Sequence, residues 1–148
     1  MYRVTSWRDG ASAEAQADLD GLLNAALPFA QQMLDKNGEF YPFGASVALD
    51  GKHAMVAAEP GQGEHPKSDE VLALLLDGIR AQRQELRAVA LAADVRVDGG
   101  DAVRVELEHR DGHALAVLLP YKKKRLGRGI EYGALRAGAA ARRVWTGA

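Results

Sequence analysis

Asp94, Glu106 and Glu108 fall in adjacent strand-like runs and are the side chains best placed for acid–base or Mg²⁺ chemistry, because clustered carboxylates can share a proton or cage a hard cation. Arg96, Arg104 and Arg110 follow the same pattern. Alternating signs favour cross-strand ion pairs on a solvated face over a metal cage, which gathers negative charge. Of the four histidines, His53, His65, His109 and His113, no pair has the i, i+4 helical spacing of a zinc protease motif. His109 and His113 come close enough to form a two-histidine site but lack an obvious third ligand, so no metal or cofactor is expected. His109 itself reads as a hydrogen-bonded core or rim residue.

Two near-motifs fail on chemistry. Gly61-Gln62-Gly63-Glu64-His65-Pro66-Lys67-Ser68 resembles a phosphate loop, but Pro66 stands where a backbone N–H must face phosphate. Glu64, Asp69 and Glu70 would also repel a triphosphate. Ser46 in Gly44-Ala45-Ser46-Val47-Ala48 lacks the second glycine of a nucleophile elbow and lies inside a strand.

The basic run carries a different signal. Lys122, Lys123, Lys124, Arg125 and Arg128, flanked by Tyr121 and Tyr132, could grip phosphate while the rings stack on bases. They could equally meet an acidic protein, guard a strand end, or dock on the chain's own acidic body. Residues 1–119 carry 11 basic and 19 acidic side chains, net −8, whereas residues 120–148 carry 8 basic and 1 acidic, net +7. The overall charge of −1 conceals this division. Phe40, Tyr41 and Phe43 are dense for a chain with 6% aromatics; they read as core at a strand entry, or as a sticky patch for a partner if alternate rings face out.

The elements that must position these residues follow from periodicity and turn chemistry. Ser12 caps a helix with Glu14 in its first turn, and Ala15, Leu19, Leu22, Leu23, Ala26, Ala30, Met33 and Leu34 keep a helical period. Pro28 either kinks this helix or starts a second one, and Asn37-Gly38 ends it. Runs 39–49 and 52–58, joined by Asp50-Gly51, form a hairpin, with Phe43, Ala45, Val47 and Leu49 on one face. Ser68 caps a second helix whose face continues through Val71, Leu72, Leu75, Leu76 and Ile79 to Leu86 and Val89. Strands at 89–97, 102–110 and 113–121 follow, linked by Asp98-Gly99-Gly100-Asp101 and Asp111-Gly112. The second alternates, with Val103, Val105, Leu107 and His109 inward; the third is apolar throughout and reads as central.

The expected fold is therefore a single α+β domain over 1–148: a five-stranded antiparallel sheet, two main helices packed mainly on one face, and a basic C-terminal segment at 121–148. A chain of 148 residues is long enough to bury a core unaided. Zero cysteines remove disulfides, thiol nucleophiles and cysteine-bound metals. No apolar tract approaches the ~20 residues of a membrane span and no secretory leader is visible, so the expected location is the cytoplasm. Alanine at 27 residues and arginine over lysine, 13 to 6, point to a GC-rich bacterial genome.

Gly38–Ala45, Glu64–Pro66, Val103–His109, Pro120-Tyr121 and Tyr132-Gly133 together resemble segments shared by a group of small bacterial proteins without an assigned activity. The element order separately looks like the roadblock/profilin-like arrangement, and that resemblance implies dimerisation or partner binding. The expected function is a non-enzymatic protein-interaction or regulatory module, a homodimer, with an acidic protein as a possible partner. Its alternatives are a nucleic-acid-associated protein using 122–128 and a small enzyme with a sheet-face carboxylate site.

Overall fold

A computed structural model describes residues 10–57, 67–124 and 129–146. Helix α1, Ala13–Asn37, begins where the Ser12 hydroxyl accepts the Ala15 N–H at 3.0 Å. It runs through Pro28 without division. It ends at Gly38, whose φ of 79° is a left-handed turn and whose N–H reaches the Leu34 carbonyl at 2.8 Å. Strands β1, Phe43–Ala48, and β2, His53–Val56, form the expected hairpin, with Gly51 at φ 91°. Phe43, Ala45 and Val47 share the core face, whereas Leu49 lies past the strand end and is half exposed.

Helix α2 spans Ser68–Ala81. Two expectations fail here. Ser68 is the first helical residue rather than its cap, which is Lys67, with no side-chain cap bond. The helix also stops at Ala81, passes through a 3₁₀ turn at Arg83–Glu85, and gives Leu86 and Val89 to strand β3, Leu86–Val97. Strands β4, Gly100–His109, and β5, Ala114–Lys123, complete a meander. Asp98 (φ 52°) and Gly99 (φ 78°) form the tight β3–β4 turn, both in the left-handed region a two-residue hairpin turn requires.

The architecture is α+β with an antiparallel sheet, as expected, but the sheet is larger. Its order is β2-β1-β3-β4-β5-β6, where β6 is Ile130–Tyr132, and β7, Arg136–Ala139, also pairs with β5. The basic segment thus lengthens the sheet instead of leaving it at five strands, and β5 is flanked on its outer side by two short strands. Weak patterning explains the omission: Arg-Ala-Gly-Ala of β7 has no bulky alternation. The whole sheet curls into a half-barrel.

The helices lie on opposite faces, not mainly on one. Ala88, Ala90 and Ala92 of β3 join α1 in the larger core, with Val103, Val105, Leu107, Leu115, Val117 and Leu119. Val89 and Leu91 face the other way, onto Val71, Leu75 and Ile79 of α2. That second core also takes Val144, which is 1% exposed, and Trp145. Glu108 of β4 holds this segment down: its carboxylate accepts the N–H groups of Arg143, Val144 and Trp145 at 2.8, 2.9 and 2.9 Å. Arg143 pairs with Glu106 at 3.2 Å, and the Arg143 carbonyl accepts from Arg80 at 2.7 Å. Part of the basic segment therefore binds the chain's own acidic body. No described helix is long and apolar enough to cross a membrane.

Because Glu108 is buried and satisfies three consecutive amides, Glu108→Ala strands those donors and frees the segment. Urea denaturation should show a loss of about 2–4 kcal/mol, and limited proteolysis should cut near residues 140–146 faster than in the parent.

Candidate functional site

A cleft of about 790 Å³ opens where α1 ends, lined by Met33, Gly38, Phe40, Tyr41, Asp94 and Tyr121 among others. Its size lies within the range of small-molecule sites. Three strand ends supply much of its polar lining: the end of β3 (Asp94, Arg96), the start of β4 (Asp101) and the end of β5 (Tyr121, Lys123); Asn37, Glu39, Tyr41 and Ser68 add the rest. Asp94 continues the row of Ala88, Ala90 and Ala92 and is the register partner of Val103, so it points to the α1 side of the sheet. Tyr121 stands in phase with Leu115, Val117 and Leu119, and its hydroxyl donates to Asp94 Oδ1 at 2.6 Å.

Burial raises the Asp94 carboxyl above its usual pKa; Asp101 and Glu39 add to the rise, while the Tyr121 hydrogen bond and Lys123 oppose it. Burial, the bond to Asp94 and the surrounding carboxylates push the Tyr121 phenol upward. The two cations at the cleft differ in their surroundings. Arg96 pairs with Asp101 at 3.2 Å and donates to the Gly99 carbonyl at 3.0 Å. Lys123 Nζ sits 3.4 Å from where a Gly38 Cβ would lie, at the C-terminal, electronegative end of α1. The arrangement is an oriented carboxylate on an aromatic-walled floor, suited to gripping a hydrogen-bond donor.

The three carboxylates singled out from the sequence do not converge. Glu106 and Glu108 pair in register with Leu91 and Val89 on the α2 side, opposite Asp94. Glu106 meets Arg104 at 3.3 Å as well as Arg143, and Glu108 is taken up by the C-terminal segment. Phe40 and Phe43 are core residues packed together at 5.7 Å, with Phe29 edge-on to Phe43 at 4.9 Å; Tyr41 alone of the three is exposed, at the cleft. They form no outward aromatic patch. Lys122 and Lys123 alternate along β5 and so point to opposite sides of the sheet. Lys124 is exposed beside them, whereas Arg125, Arg128 and the 61–66 part of the phosphate-loop-like run lie outside the described residues. The Tyr132 ring packs 6.4 Å from Tyr121 in the core, and its buried hydroxyl has no hydrogen-bond partner among the described residues.

A second polar cluster ties α1 to the sheet. Asp18 accepts two bonds from Arg87, at 2.9 and 3.0 Å, and one contact from His109 Nε2 at 2.9 Å. His109 Nδ1 accepts the Asp111 N–H at 3.2 Å, which makes Nε2 the nitrogen that donates to Asp18. Both ring nitrogens are therefore occupied, and His109 is a satisfied core residue as expected. His113 turns to Asp111 at 3.0 Å instead of completing a two-histidine site. Burial raises the Asp111 carboxyl, but the side-chain and backbone hydrogen bonds from His113 outweigh it, and the net shift is downward. Ligand atoms of Glu14, Asp18 and His109 lie within 4.8 Å of one another, the spacing of a metal site. The Arg87 guanidinium bonds to Asp18 and lies 3.6 Å from Glu14, so an organic cation already neutralises the carboxylates.

Sequence reasoning singled out Asp94, Phe40, Tyr41 and Lys123 of the cleft but not Tyr121 as the partner of Asp94, nor Asp18 and Arg87. For Tyr121 the available signal was its phase with Leu115, Val117 and Leu119.

Two outcomes follow from this chemistry. A carboxyl whose folded pKa is raised favours the fold in its protonated form, so its contribution is full below the ordinary value of 3.8 and is lost as pH rises through the folded value. Asp94→Asn keeps an acceptor for Tyr121 and escapes that loss. Thermal unfolding should show its advantage over the parent growing from about pH 4 to pH 7 and staying below about 1 kcal/mol, given solvent screening at the cleft. Asp18→Ala leaves Arg87 and His109 without their acceptor and should cost about 3–5 kcal/mol in urea denaturation.

No protein-family model matches the chain, and neither a curated protein nor a solved structure matches it.

Proposed function

We propose that this chain is a non-enzymatic interaction module that recognises its partner or ligand through the cleft at the end of α1. The observation that carries this reading is the Asp94–Tyr121 pair, held at 2.6 Å on the floor of an opening of about 790 Å³. Concave sites with a few fixed polar groups among apolar walls, one with a perturbed pKa, are where small proteins bind. Four residues singled out from the sequence for partner contact or chemistry, Phe40, Tyr41, Lys123 and Asp94, line it. The carboxylate-enzyme alternative is weakened by the separation of Asp94 from Glu106 and Glu108 across the sheet. The nucleic-acid alternative, which uses 122–128, is weakened by the alternation along β5 that sends Lys122 and Lys123 to opposite sides of the sheet.

In this reading the homodimer forms through β2, a four-residue strand at the end of the sheet that carries the exposed Met55, with the exposed Leu49 in the turn before it. An unpaired strand edge is a ready template for a second copy. Light scattering at micromolar concentration should return twice the chain mass, and a strictly monomeric mass removes the dimer while leaving the cleft.

For the cleft itself, a fragment library titrated against ¹⁵N-labelled protein should shift the amides of Phe40, Tyr41, Asp94, Tyr121 and Lys123 together. Tyr41→Ser should weaken such binders about tenfold while changing stability by less than about 0.5 kcal/mol, since this ring is half exposed. Binders that move only Lys122, Lys124 and Arg136, or a library that moves none of the cleft amides, would overturn this assignment.

A further inference from the structure

We propose that the cleft takes a ligand bearing a primary ammonium group on an apolar or aromatic body, with the cation against Asp94 and the body against Met33, Phe40 and Tyr41. This rests on the reading of the cleft as the recognition site and names what it recognises.

The inference comes from the way charge is distributed within the cleft. Its described titratable and charged groups are Glu39, Tyr41, Asp94, Arg96, Asp101, Tyr121 and Lys123. Arg96 is committed twice, to the Asp101 carboxylate and to the Gly99 carbonyl. Lys123 Nζ lies beside Gly38 at the end of α1; it lowers the Asp94 pKa from a distance but forms no ion pair with it. Asp94 is left with a single hydrogen bond, from Tyr121, and with no ion pair among the described residues. A half-buried carboxylate in that position is costly to ionise, and a cation brought by a ligand removes the cost.

The geometry also sets the orientation. Tyr121 engages Oδ1 and leaves Oδ2 as the acceptor for an incoming N–H. Two further carboxylates of the cleft, Asp101 and Glu39, add to the same potential. The walls match the rest of the ligand: Phe40 and Tyr41 are adjacent in the chain at the mouth, and Met33 lines the α1 side. Aromatic faces attract cations, and a thioether adapts its shape to an apolar body. An anionic ligand would meet three carboxylates, Glu39, Asp94 and Asp101, against two cations, of which Arg96 is already paired with Asp101.

Three probes of one shape separate charge from apolar fit: phenethylamine, 3-phenylpropionate and 2-phenylethanol, each titrated by calorimetry and by ¹⁵N amide shifts near neutral pH, where the amine is protonated (ordinary pKa about 10). Phenethylamine should bind with shifts at Phe40, Asp94 and Tyr121, and at least about tenfold more tightly than the other two. Asp94→Asn, which retains the acceptor for Tyr121, should abolish that preference. Tyr121→Phe, which keeps the charge but loses the orienting bond, should weaken the amine by a smaller factor, about threefold to tenfold. If all three probes bind alike, or Asp94→Asn leaves the amine's affinity unchanged, the ammonium assignment is overturned and the cleft remains a binding site. If the carboxylate binds best, the charge assignment is reversed. If no probe moves a cleft amide although library fragments do, the ligand class is wrong. If neither probes nor fragments do, both readings fall.

Discussion

Strand β3 has to be buried on both faces at once, and the rest of the molecule follows from how its sequence meets that demand. On one side it offers Ala88, Ala90 and Ala92, small enough for the alanine-lined face of α1 (Ala15, Ala26, Ala30) to approach closely. On the other it offers Val89 and Leu91, which need a second layer above them. Helix α2 covers part of that area, and Val144 and Trp145 cover more. Neither core is complete without the strand between them, so this chain behaves as three layers in place of the two common in small domains.

Polar groups do the fastening that small apolar side chains cannot. Alanine buries little area, so β3's side of the contact gains little from transfer, and the apolar bulk comes from Leu19, Leu22 and Leu34 of α1. Asp18 compensates with directional bonds to Arg87 and His109 that fix the helix over the sheet. Glu108 acts similarly on the far side, where no regular element brings the C-terminal backbone to its place. Buried carboxylates that each accept three hydrogen bonds specify one arrangement among several of similar hydrophobic content. The end of β3 is where this stops: beyond Ala92 the helix has run out, Asp94 takes the next position in the row, and the gap becomes the cleft.

Elements closed by local chemistry were legible in the sequence. Ser12, Gly38, Asp50-Gly51, Asp98-Gly99 and Asp111-Gly112 each mark a cap or turn that depends only on neighbouring residues. What depended on distant partners was not. Leu86 and Val89 fit both a helical period and a strand, and the strand wins because β1 and β4 pair with it. The run Ala88–Ala93 has no polar alternation, so nothing local phases Asp94, and it was grouped with Glu106 and Glu108 on the wrong side. The C-terminal segment has little pattern of its own; its position is set by a carboxylate 36 residues earlier. In the site, aromatic and charged residue types were readable, but the bond between Asp94 and Tyr121 spans 27 residues and two strands.

The Asp18 cluster also carries a consequence for the order of events as the chain folds. Its bonds join residues 69 and 91 positions apart, while α1 itself is a local structure with a capped start and a capped end. During synthesis the helix emerges long before β3 and β4 exist to receive it, and its buried face must wait with a carboxylate in the middle. Its bonds can form only once β3 has brought Arg87 and β4 has brought His109 to the helix. Closing such long loops is slow and depends on several strands at once. One residue near the start of a local helix thus ties the completion of that helix's packing to the most distant pairings in the sheet.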